Sequence, residues 1–246
     1  MKKLSYFEIR DNRKIAEGTY RMELAGDCSC ITAPGQFVNI ALEGKYLRRP
    51  ISMCSVHGDT LTLVYKTQGD GTRQMACMLP GKKLELLTGL GNGFRLDCSG
   101  QTPLLIGGGA GVAPMFGLAE ALKAQGKTPI AVLGFNTASE ICMVSEFSAL
   151  DVPVCISTAD GSVGIKGFVT DVLPTIEVHY DYVYVCGPEP MLKAVYNADD
   201  TDGQFSFEAR MACGFGACMG CSCETKYGTK RICRDGPVLE RGEIRW

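Results

Sequence analysis

The chain has 246 residues, which is enough to bury a substantial core and to form one large domain or two modest ones. Its 25 basic and 27 acidic residues leave a formal net charge of −2, so no basic face for nucleic acid or an anionic membrane is indicated. The N-terminal residues contain no apolar run of the kind found in signal peptides or membrane-spanning helices. The 13 cysteines therefore favour reduced thiols in a cytoplasmic protein over a secreted disulfide scaffold.

Residues 1–99 predict short β-strands separated by glycine-containing turns. The strand candidates are Tyr6–Ile9, Thr19–Glu23, Gln36–Leu42, Thr60–Lys66 and Lys83–Leu87. Several short strands without a long helical period indicate a small antiparallel barrel.

Two motifs in this barrel segment have residues suited to phosphate contacts. In the first, RRPIS at 48–52, an arginine and a serine can grip a diphosphate through charge-assisted and neutral hydrogen bonds. In the second, YKTQGDGT at 65–72, a Gly-Thr pair after a strand can add backbone N–H donors and a second hydroxyl. Each motif alone also fits an ordinary alternative, a surface arginine beside a proline turn or a hairpin turn. Their order within one β-rich segment is what favours a binding site.

From Thr102 onward, apolar strands alternate with helices. The predicted strands are Pro103–Ile106, Ile130–Phe135, Val154–Thr158 and Tyr182–Cys186, and the predicted helices are Met115–Gln125, Phe168–Leu173 and Glu189–Ala198. Continuous apolar strands in this alternation indicate a parallel, doubly wound α/β sheet over residues 100–204.

Two loops of the α/β segment follow predicted strands, at the sheet edge where open α/β folds bind ligands. The loop GGGAGVAP at 107–114 lies between a strand and a helix, so a pyrophosphate can approach its bare backbone and the helix N-terminus. The loop CGPEPM at 186–191 ends the last predicted strand. A tight turn without a ligand and a simple helix cap are the alternatives. The candidate nucleotide contacts are Gly107, Gly108, Gly109, Gly111, Pro114, Cys186, Gly187 and Pro188.

The segment 205–246 carries a C-x4-C-x2-C…C array formed by Cys213, Cys218, Cys221 and Cys233. The first three cysteines have the plant-ferredoxin spacing for a [2Fe–2S] cluster. Structural zinc sites usually have two well-separated C-x2-C pairs, so zinc is the second interpretation, and free or disulfide-bonded thiols fit the spacing poorly. Cys223 is left out of the ligand set because the x2 spacing selects Cys221.

The order RRPIS, YKTQGDGT, GGGAGVAP and CGPEPM resembles the ferredoxin–NADP reductase superfamily over residues 1 to about 200. Ile51 departs from the superfamily's usual R-x-Y-[ST], because it stands where a tyrosine would pack against the flavin. Together with the cysteine array and the DGPV sequence at 235–238, the whole chain resembles the electron-transfer subunits of NAD-dependent (class 1B) dihydroorotate dehydrogenases. The resemblance implies a flavin-binding β-barrel at 1–99, an NAD-binding α/β domain at 100–204 and a [2Fe–2S] domain at 205–246.

The resemblance also implies the cofactors and the partner. FAD contacts are expected at Arg49, Pro50, Ile51, Ser52, Val64, Tyr65, Lys66, Gly71 and Thr72, the cluster ligands are the four cysteines of the array, and NAD(H) lies along residues 107–114 and 186–191. The partner is an FMN-containing catalytic subunit that oxidises dihydroorotate in pyrimidine (UMP) biosynthesis, in a heterotetramer of two subunits of each kind.

The expected relay runs from the partner's FMN through the cluster and FAD to NAD⁺. It requires a flavin because a flavin can take up electrons singly and pass them on as a hydride. No catalytic acid, base or nucleophile is expected in this chain, and His57 and His179 are interpreted as ordinary surface or strand residues. NAD is favoured over NADP because residues 135–140, at the end of the second α/β strand, offer no arginine for a 2′-phosphate.

Two other functions stay open from the residues alone. One is the NAD(P)H–ferredoxin oxidoreductase subunit of an electron-bifurcating or hydrogenase-type complex, and the other is a non-enzymatic, zinc-stabilised binding protein. The surface that meets a partner is also open. Phe215, Met219, Ile232 and Trp246 could form it near the cluster, or could pack the core of the small C-terminal domain.

Overall fold

In a computed structural model, which describes residues 2–246, the chain forms a closed six-stranded barrel, a seven-stranded sheet and a two-stranded ribbon. The barrel strands and their single helix are β1 (Lys3–Ala16), β2 (Thr19–Ala25), β3 (Phe37–Ile40), β4 (Arg49–His57), β5 (Thr60–Lys66), α1 (Asp70–Ala76) and β6 (Lys83–Leu90). Around the barrel the order is β1-β2-β5-β4-β3-β6, and every neighbouring pair is antiparallel. The predicted antiparallel barrel is thus confirmed.

Alternation along the strands fills the barrel. In β6, every second residue from Leu84 to Leu90 is buried, three of them besides Thr88 being leucines, whereas the residues between them are partly exposed. A side-chain period of two places such leucines on one face of a strand, here the inner face. Leu84 and Leu86 meet Phe7 and Ile9 of β1 in the barrel core, whereas Leu90 packs with residues of the α/β sheet.

The second sheet is parallel in its first six strands. Its elements are β7 (Pro103–Gly108), α2 (Val112–Ala124), β8 (Ile130–Phe135), α3 (Val144–Ala149), β9 (Val154–Thr158), β10 (Ile165–Lys166), α4 (Val169–Val172), β11 (Tyr182–Cys186), α5 (Glu189–Ala198) and β12 (Gly203–Ser206). The strand order is β10-β9-β8-β7-β11-β12, so the chain reverses direction across the sheet after β10. This is the doubly wound arrangement expected from the strand–helix alternation.

The C-terminal residues contribute a ribbon, a helical turn and a further strand. These are β13 (Ser222–Thr225), β14 (Gly228–Arg231), α6 (Ile232–Asp235) and β15 (Val238–Glu240). Strand β15 pairs antiparallel with β12 and becomes the seventh strand of the α/β sheet. Strand β12 contains residue 204, which is the predicted boundary between the NAD-binding domain and the [2Fe–2S] domain. The cluster segment is therefore joined by strand pairing to the nucleotide domain.

The barrel and the sheet share one hydrophobic cluster, in which Cys54 and Val64 of the barrel pack with residues of α2. Gly117 of α2 lies so close to β4 that a Cβ at this position would be 2.0 Å from the carbonyl oxygen of Cys54. A second connection joins the barrel to the C-terminal segment, because Asn92 exchanges hydrogen bonds of 2.7 and 3.1 Å with the backbone of Val238. These contacts fix the relative positions of the three segments.

Two predictions for the barrel segment were incomplete. The RRPIS motif was not assigned to a strand, but Arg49–Ser52 begin β4 and pair with β3. The ordinary alternative for Gly69-Asp70-Gly71 is a hairpin turn, but in the structure Asp70 begins helix α1 with Gly69 as its N-cap. None of the helices between residues 2 and 246 is both long and apolar enough to cross a membrane.

Candidate flavin, nucleotide and cluster sites

A cavity of about 370 Å³ lies where the barrel, the sheet and the C-terminal segment meet. Every residue predicted to contact FAD lines it: Arg49, Pro50, Ile51, Ser52, Val64, Tyr65, Lys66, Gly71 and Thr72. Of the predicted nucleotide contacts, Gly111 and Cys186 also line it, and Gly107, Gly108, Gly109, Pro114, Gly187 and Pro188 do not. The structure thus brings the two barrel motifs together and sets the ends of β7 and β11 opposite them.

The two arginines of the RRPIS motif have different partners. Arg48 forms an ion pair with Glu85 of β6. Arg49 donates to the carbonyl of Leu47 at 2.5 Å and, within the described chain, has no carboxylate partner. Its guanidinium therefore keeps its charge available inside the cavity, which suits a diphosphate.

Helix α1 packs against the side chain of Arg49. A Cβ at Gly71 would lie 2.3 Å from the Nε atom of Arg49, so a larger residue at this position would displace the Arg49 side chain. The hydroxyl of Thr72 donates to the carbonyl of Gly69 at 3.1 Å and lies 3.2 Å from its backbone nitrogen. The Thr72 side chain thus caps the helix, whereas the sequence suggested it as a donor to phosphate.

Tyr65 and Lys66 direct their side chains away from each other. The Tyr65 hydroxyl donates to Asn12 at 2.9 Å inside the barrel, so this residue meets the cavity mainly through its backbone. The Lys66 ammonium lies 2.8 Å from a carboxylate oxygen of Glu140, which follows β8. Burial opposes ionisation of Glu140, but hydrogen bonds from Lys66 and Asn136 outweigh it and hold its pKa below the usual value. This ion pair joins the barrel to the nucleotide domain beside the cavity.

Close packing explains why glycine occupies most of these positions in the two nucleotide loops. A Cβ at Gly111 would lie 2.1 Å from the carbonyl oxygen of Cys186. A Cβ at Gly108 would lie 2.3 Å from the sulfur of Met191, and one at Gly187 would lie 2.5 Å from the methyl carbon of the same side chain. The loops after β7 and β11 therefore pack directly on each other.

Gly109 differs from its neighbours in these loops. It has a φ of +54°, and the nearest atom to a Cβ there would be the Lys66 Nζ at 3.7 Å. Left-handed backbone with open space beside it allows a ligand to approach the main chain. Pro114 is buried inside α2, and Pro188 is the N-cap of α5.

The last residue of β12 and the residues that follow it form a wall of the cavity that the sequence patterns did not reveal. Ser206, Phe207, Glu208, Ala209 and Met211 line it. Desolvation raises the pKa of Glu208, although the residue as a whole is exposed to solvent. Burial, with a smaller contribution from the charge of Glu208, raises the pKa of the Cys186 thiol to about 12. Cys186 thus presents a neutral thiol to the cavity at physiological pH.

The four cysteines of the array lie in two pairs. The sulfurs of Cys213 and Cys218 are 3.4 Å apart, and the backbone nitrogen of Cys233 lies 3.4 Å from the sulfur of Cys221. All four are free thiols. Across residues 2–246 no group of three or more potential ligands converges on a single point. Two pairs suit a cluster of two irons, each needing two protein sulfurs.

The backbone of the cluster loop favours a thiolate at Cys213. Burial would raise the pKa of Cys213, but the backbone N–H groups of Cys218, Phe215 and Ala217 outweigh it and lower the value to about 6. The thiolate is the form that binds iron. Gly214, with a φ of +73°, packs on the Asn39 side chain, which donates to the carbonyl of Cys213 at 3.2 Å. A strand of the barrel thereby supports the loop, and the residues present fit the cluster.

Of the four residues proposed for either docking or packing, two are exposed. Phe215 is 43% exposed and Met219 60% exposed on the cluster loop. Ile232 is buried, and Trp246 is half-buried against Phe207, with ring centroids 5.4 Å apart. Core packing thus accounts for Ile232 and Trp246, and the two loop residues stay candidates for docking.

Comparison with known proteins gives the same assignment for two of these regions. A family model for the iron–sulfur cluster binding domain of dihydroorotate dehydrogenase B matches residues 208–245, and one for the oxidoreductase NAD-binding domain matches residues 105–197. A protein of Fusobacterium nucleatum subsp. nucleatum named "Dihydroorotate dehydrogenase B (NAD(+)), electron transfer subunit" is 42% identical, over 96% of each chain. The chain belongs to this family. A protein of Geobacillus sp. strain WCH70 with the same name is 39% identical over 99% of each chain.

Solved structures show the same fold. A structure described as an NADH-dependent reduced ferredoxin–NADP oxidoreductase, studied for flavin-based electron bifurcation, superposes with a TM-score of 0.87 at 29% identity, covering 98% of this chain and 90% of that one. A ferredoxin–NADP⁺ reductase of Neisseria gonorrhoeae with bound FAD and NADP gives a TM-score of 0.69 at 17% identity, covering 80% and 90%. The predicted fold class and the cofactor set of FAD, [2Fe–2S] and NAD(H) are confirmed for the family.

Proposed function

We propose that this chain carries electrons from the catalytic subunit of a dihydroorotate dehydrogenase to NAD⁺, using FAD and a [2Fe–2S] cluster. The observation that carries the proposal is the meeting of barrel, nucleotide loops and cluster segment at one cavity. Bound there, the flavin would exchange single electrons with the cluster and a hydride with the nicotinamide. The chain's own residues bind and position these groups.

The flavin contacts proposed are the nine residues that line the cavity from the barrel side. Arg49 is the group for the diphosphate, because its charge has no carboxylate partner in the described chain, its guanidinium donates to backbone carbonyls, and Gly71 leaves space for its side chain. The backbone at Ile51 and Ser52, in the pairing of β4 with β3, forms the neighbouring wall. Since Ile51 is aliphatic, it offers a flavin dispersion contact without aromatic stacking.

NAD(H) is proposed to enter from the opposite side, over the loops after β7 and β11. The open, left-handed backbone at Gly109 receives the pyrophosphate next to the start of α2. Cys186 reaches the cavity from the end of β11 with a protonated thiol, which presents no charge to an approaching hydride. The remaining loop glycines allow the two loops to pack.

The cluster ligands proposed are Cys213, Cys218, Cys221 and Cys233. Cys223 lies on the ribbon strand β13 and faces Lys230 of β14 across the ladder. It therefore belongs to a strand, whereas Cys221 immediately precedes that strand in the loop. We keep Cys223 outside the ligand set.

The partner proposed is an FMN-containing catalytic subunit, in a cytoplasmic heterotetramer with two subunits of each kind. The names of the relatives support a separate catalytic subunit. Phe215 and Met219 support a docking position at the cluster, because electron transfer needs the cluster close to the partner's flavin and these side chains are exposed beside it. Dihydroorotate chemistry then takes place on the partner.

The experiment is cofactor analysis of the purified chain, with iron, sulfide, zinc and flavin quantified in one sample. We expect flavin, two irons and two sulfides per chain, and NADH oxidation with an artificial acceptor but no turnover of dihydroorotate. Zinc in place of iron, together with the absence of flavin, would overturn the proposal.

The bifurcating NADH-dependent ferredoxin–NADP oxidoreductase is the second candidate, favoured by the TM-score of 0.87. The two candidates differ in their partner. Copurification with an FMN subunit that confers dihydroorotate-dependent NAD⁺ reduction supports the first, and NADH-dependent reduction of ferredoxin without such a subunit supports the second.

A further inference from the structure

The cluster loop is held from outside by three side chains that come from separate parts of the fold. Each donates a hydrogen bond to a backbone carbonyl of the loop: Asn39 of β3 to Cys213, Lys2 to Phe215, and Arg231 of β14 to Gly216. Two of the three donors carry a positive charge. The loop's conformation is thus set by the barrel, by the N-terminal residues and by the ribbon together.

These hydrogen bonds set the direction of the N–H group in each of the same peptide units. In a trans peptide the N–H points away from the C=O of the same unit. Holding the carbonyls of Phe215 and Gly216 outward therefore turns the N–H groups of Gly216 and Ala217 inward. The next amide along the loop already has this direction, because the backbone nitrogen of Cys218 lies 3.4 Å from the Cys213 sulfur.

The Arg231 bond is the more buried of the two charged contacts. Its guanidinium lies 2.6 Å from the Gly216 carbonyl oxygen, and its side chain is mostly buried. Asp235 fixes the residue from the other side, accepting from the Arg231 backbone nitrogen at 2.9 Å with a carboxylate oxygen 3.6 Å from Nε. Lys2 is exposed, so solvent screens its charge more strongly.

A cation on a peptide carbonyl polarises the N–H of the same unit, because hydrogen bonds in a chain strengthen one another. An N–H directed at a cluster sulfur stabilises the negative charge that reduction adds. We propose that Arg231 and Lys2 are positioning residues that orient and polarise the Gly216 and Ala217 amides towards the cluster sulfurs and so raise the cluster's reduction potential. This inference rests on the proposed function, since it requires the [2Fe–2S] cluster.

The test is a redox titration of the full chain, with the reduced cluster followed by EPR. For Arg231→Gln we expect a lower reduction potential of the cluster. At the wild-type midpoint potential, the ratio of reduced to oxidised cluster should be roughly tenfold smaller, which is equivalent to about 59 mV for a one-electron couple. Lys2→Met should shift the potential in the same direction by less. Arg231→Lys should recover most of the wild-type value, because the cation and the donor are kept.

Arg234→Gln is the matched control. Arg234 carries the same charge, packs against Gly216, and has its Nε 3.7 Å from Asp235. No hydrogen bond from it to a loop carbonyl is present in the described chain. We expect Arg234→Gln to leave the potential close to wild type.

An Arg231→Gln potential equal to that of wild type would overturn the inference, as would an equal shift in Arg234→Gln, which would indicate a general effect of charge. If Arg231→Gln does not retain iron, Lys2→Met decides the matter, and an unchanged potential there overturns the inference. A wild-type chain without iron and sulfide would instead refute the proposed function.

Discussion

Replacing Arg49 with methionine should weaken FAD binding without unfolding the chain. Arg49 is the arginine in the cavity without a carboxylate partner in the described structure, and its own bonds are to nearby backbone carbonyls. A hydrogen bond to a charged group contributes about 1.5–3 kcal/mol. Since about 1.4 kcal/mol corresponds to a factor of ten, the dissociation constant for FAD should rise roughly 10- to 100-fold.

The assay is a flavin titration of deflavinated protein, followed by fluorescence quenching, with thermal unfolding recorded in parallel. Arg48→Met is the matched control, because Arg48 pairs with Glu85 and a partly exposed ion pair contributes only about 0–1 kcal/mol. Normal FAD affinity in Arg49→Met, or a larger loss in Arg48→Met, would refute the assignment of the diphosphate contact to Arg49.

Three further predictions concern the other parts of the site. Gly111→Ala places a Cβ 2.1 Å from the Cys186 carbonyl oxygen. We therefore expect it to reduce the free energy of unfolding by about 1–3 kcal/mol and to lower the melting temperature by several degrees. An unchanged melting temperature would contradict the packing of the two loops. Cys221→Ser should remove the [2Fe–2S] EPR signal and most of the iron, whereas Cys223→Ser should retain both, and the reverse pattern would exchange the two residues in the ligand set. Because burial raises the pKa of Cys186 to about 12, its thiol stays protonated below that pH, and iodoacetamide labelling read by mass spectrometry should remain slow from about pH 8 to about pH 10. The exposed Cys77 serves as the labelling control, and equal labelling of both residues would refute a buried, neutral Cys186.

The sequence predicts the α/β strands better than the barrel strands. The ranges Ile130–Phe135, Val154–Thr158 and Tyr182–Cys186 agree with β8, β9 and β11, because parallel strands covered on both faces are continuously apolar. Strand β4 was missed because it starts with Arg49 and Pro50, which do not have strand character. Helix α1 was missed because Gly71 disfavours a helix. In the structure, the glycine leaves space for the side chain of Arg49.

The site was predictable where local spacing carries the chemistry. The cysteine spacing predicted a cluster from residues within one short segment, and the structure brings those residues together in pairs. The wall formed by Ser206, Phe207 and Glu208 had no such signal, because these residues reach the cavity only through the pairing of β12 with β11 and β15. The pairing of Lys66 with Glu140 was equally invisible, since it joins two domains.

The most direct test of the central claim is NAD⁺ reduction by dihydroorotate under anaerobic conditions, measured with the purified complex of this chain and its FMN-containing partner. The account predicts NADH formation only when both subunits are present, with loss of this activity in Cys221→Ser while the partner still oxidises dihydroorotate with an artificial acceptor. Full NADH formation by Cys221→Ser complexes that lack the cluster would contradict an electron path through this chain's cysteine array.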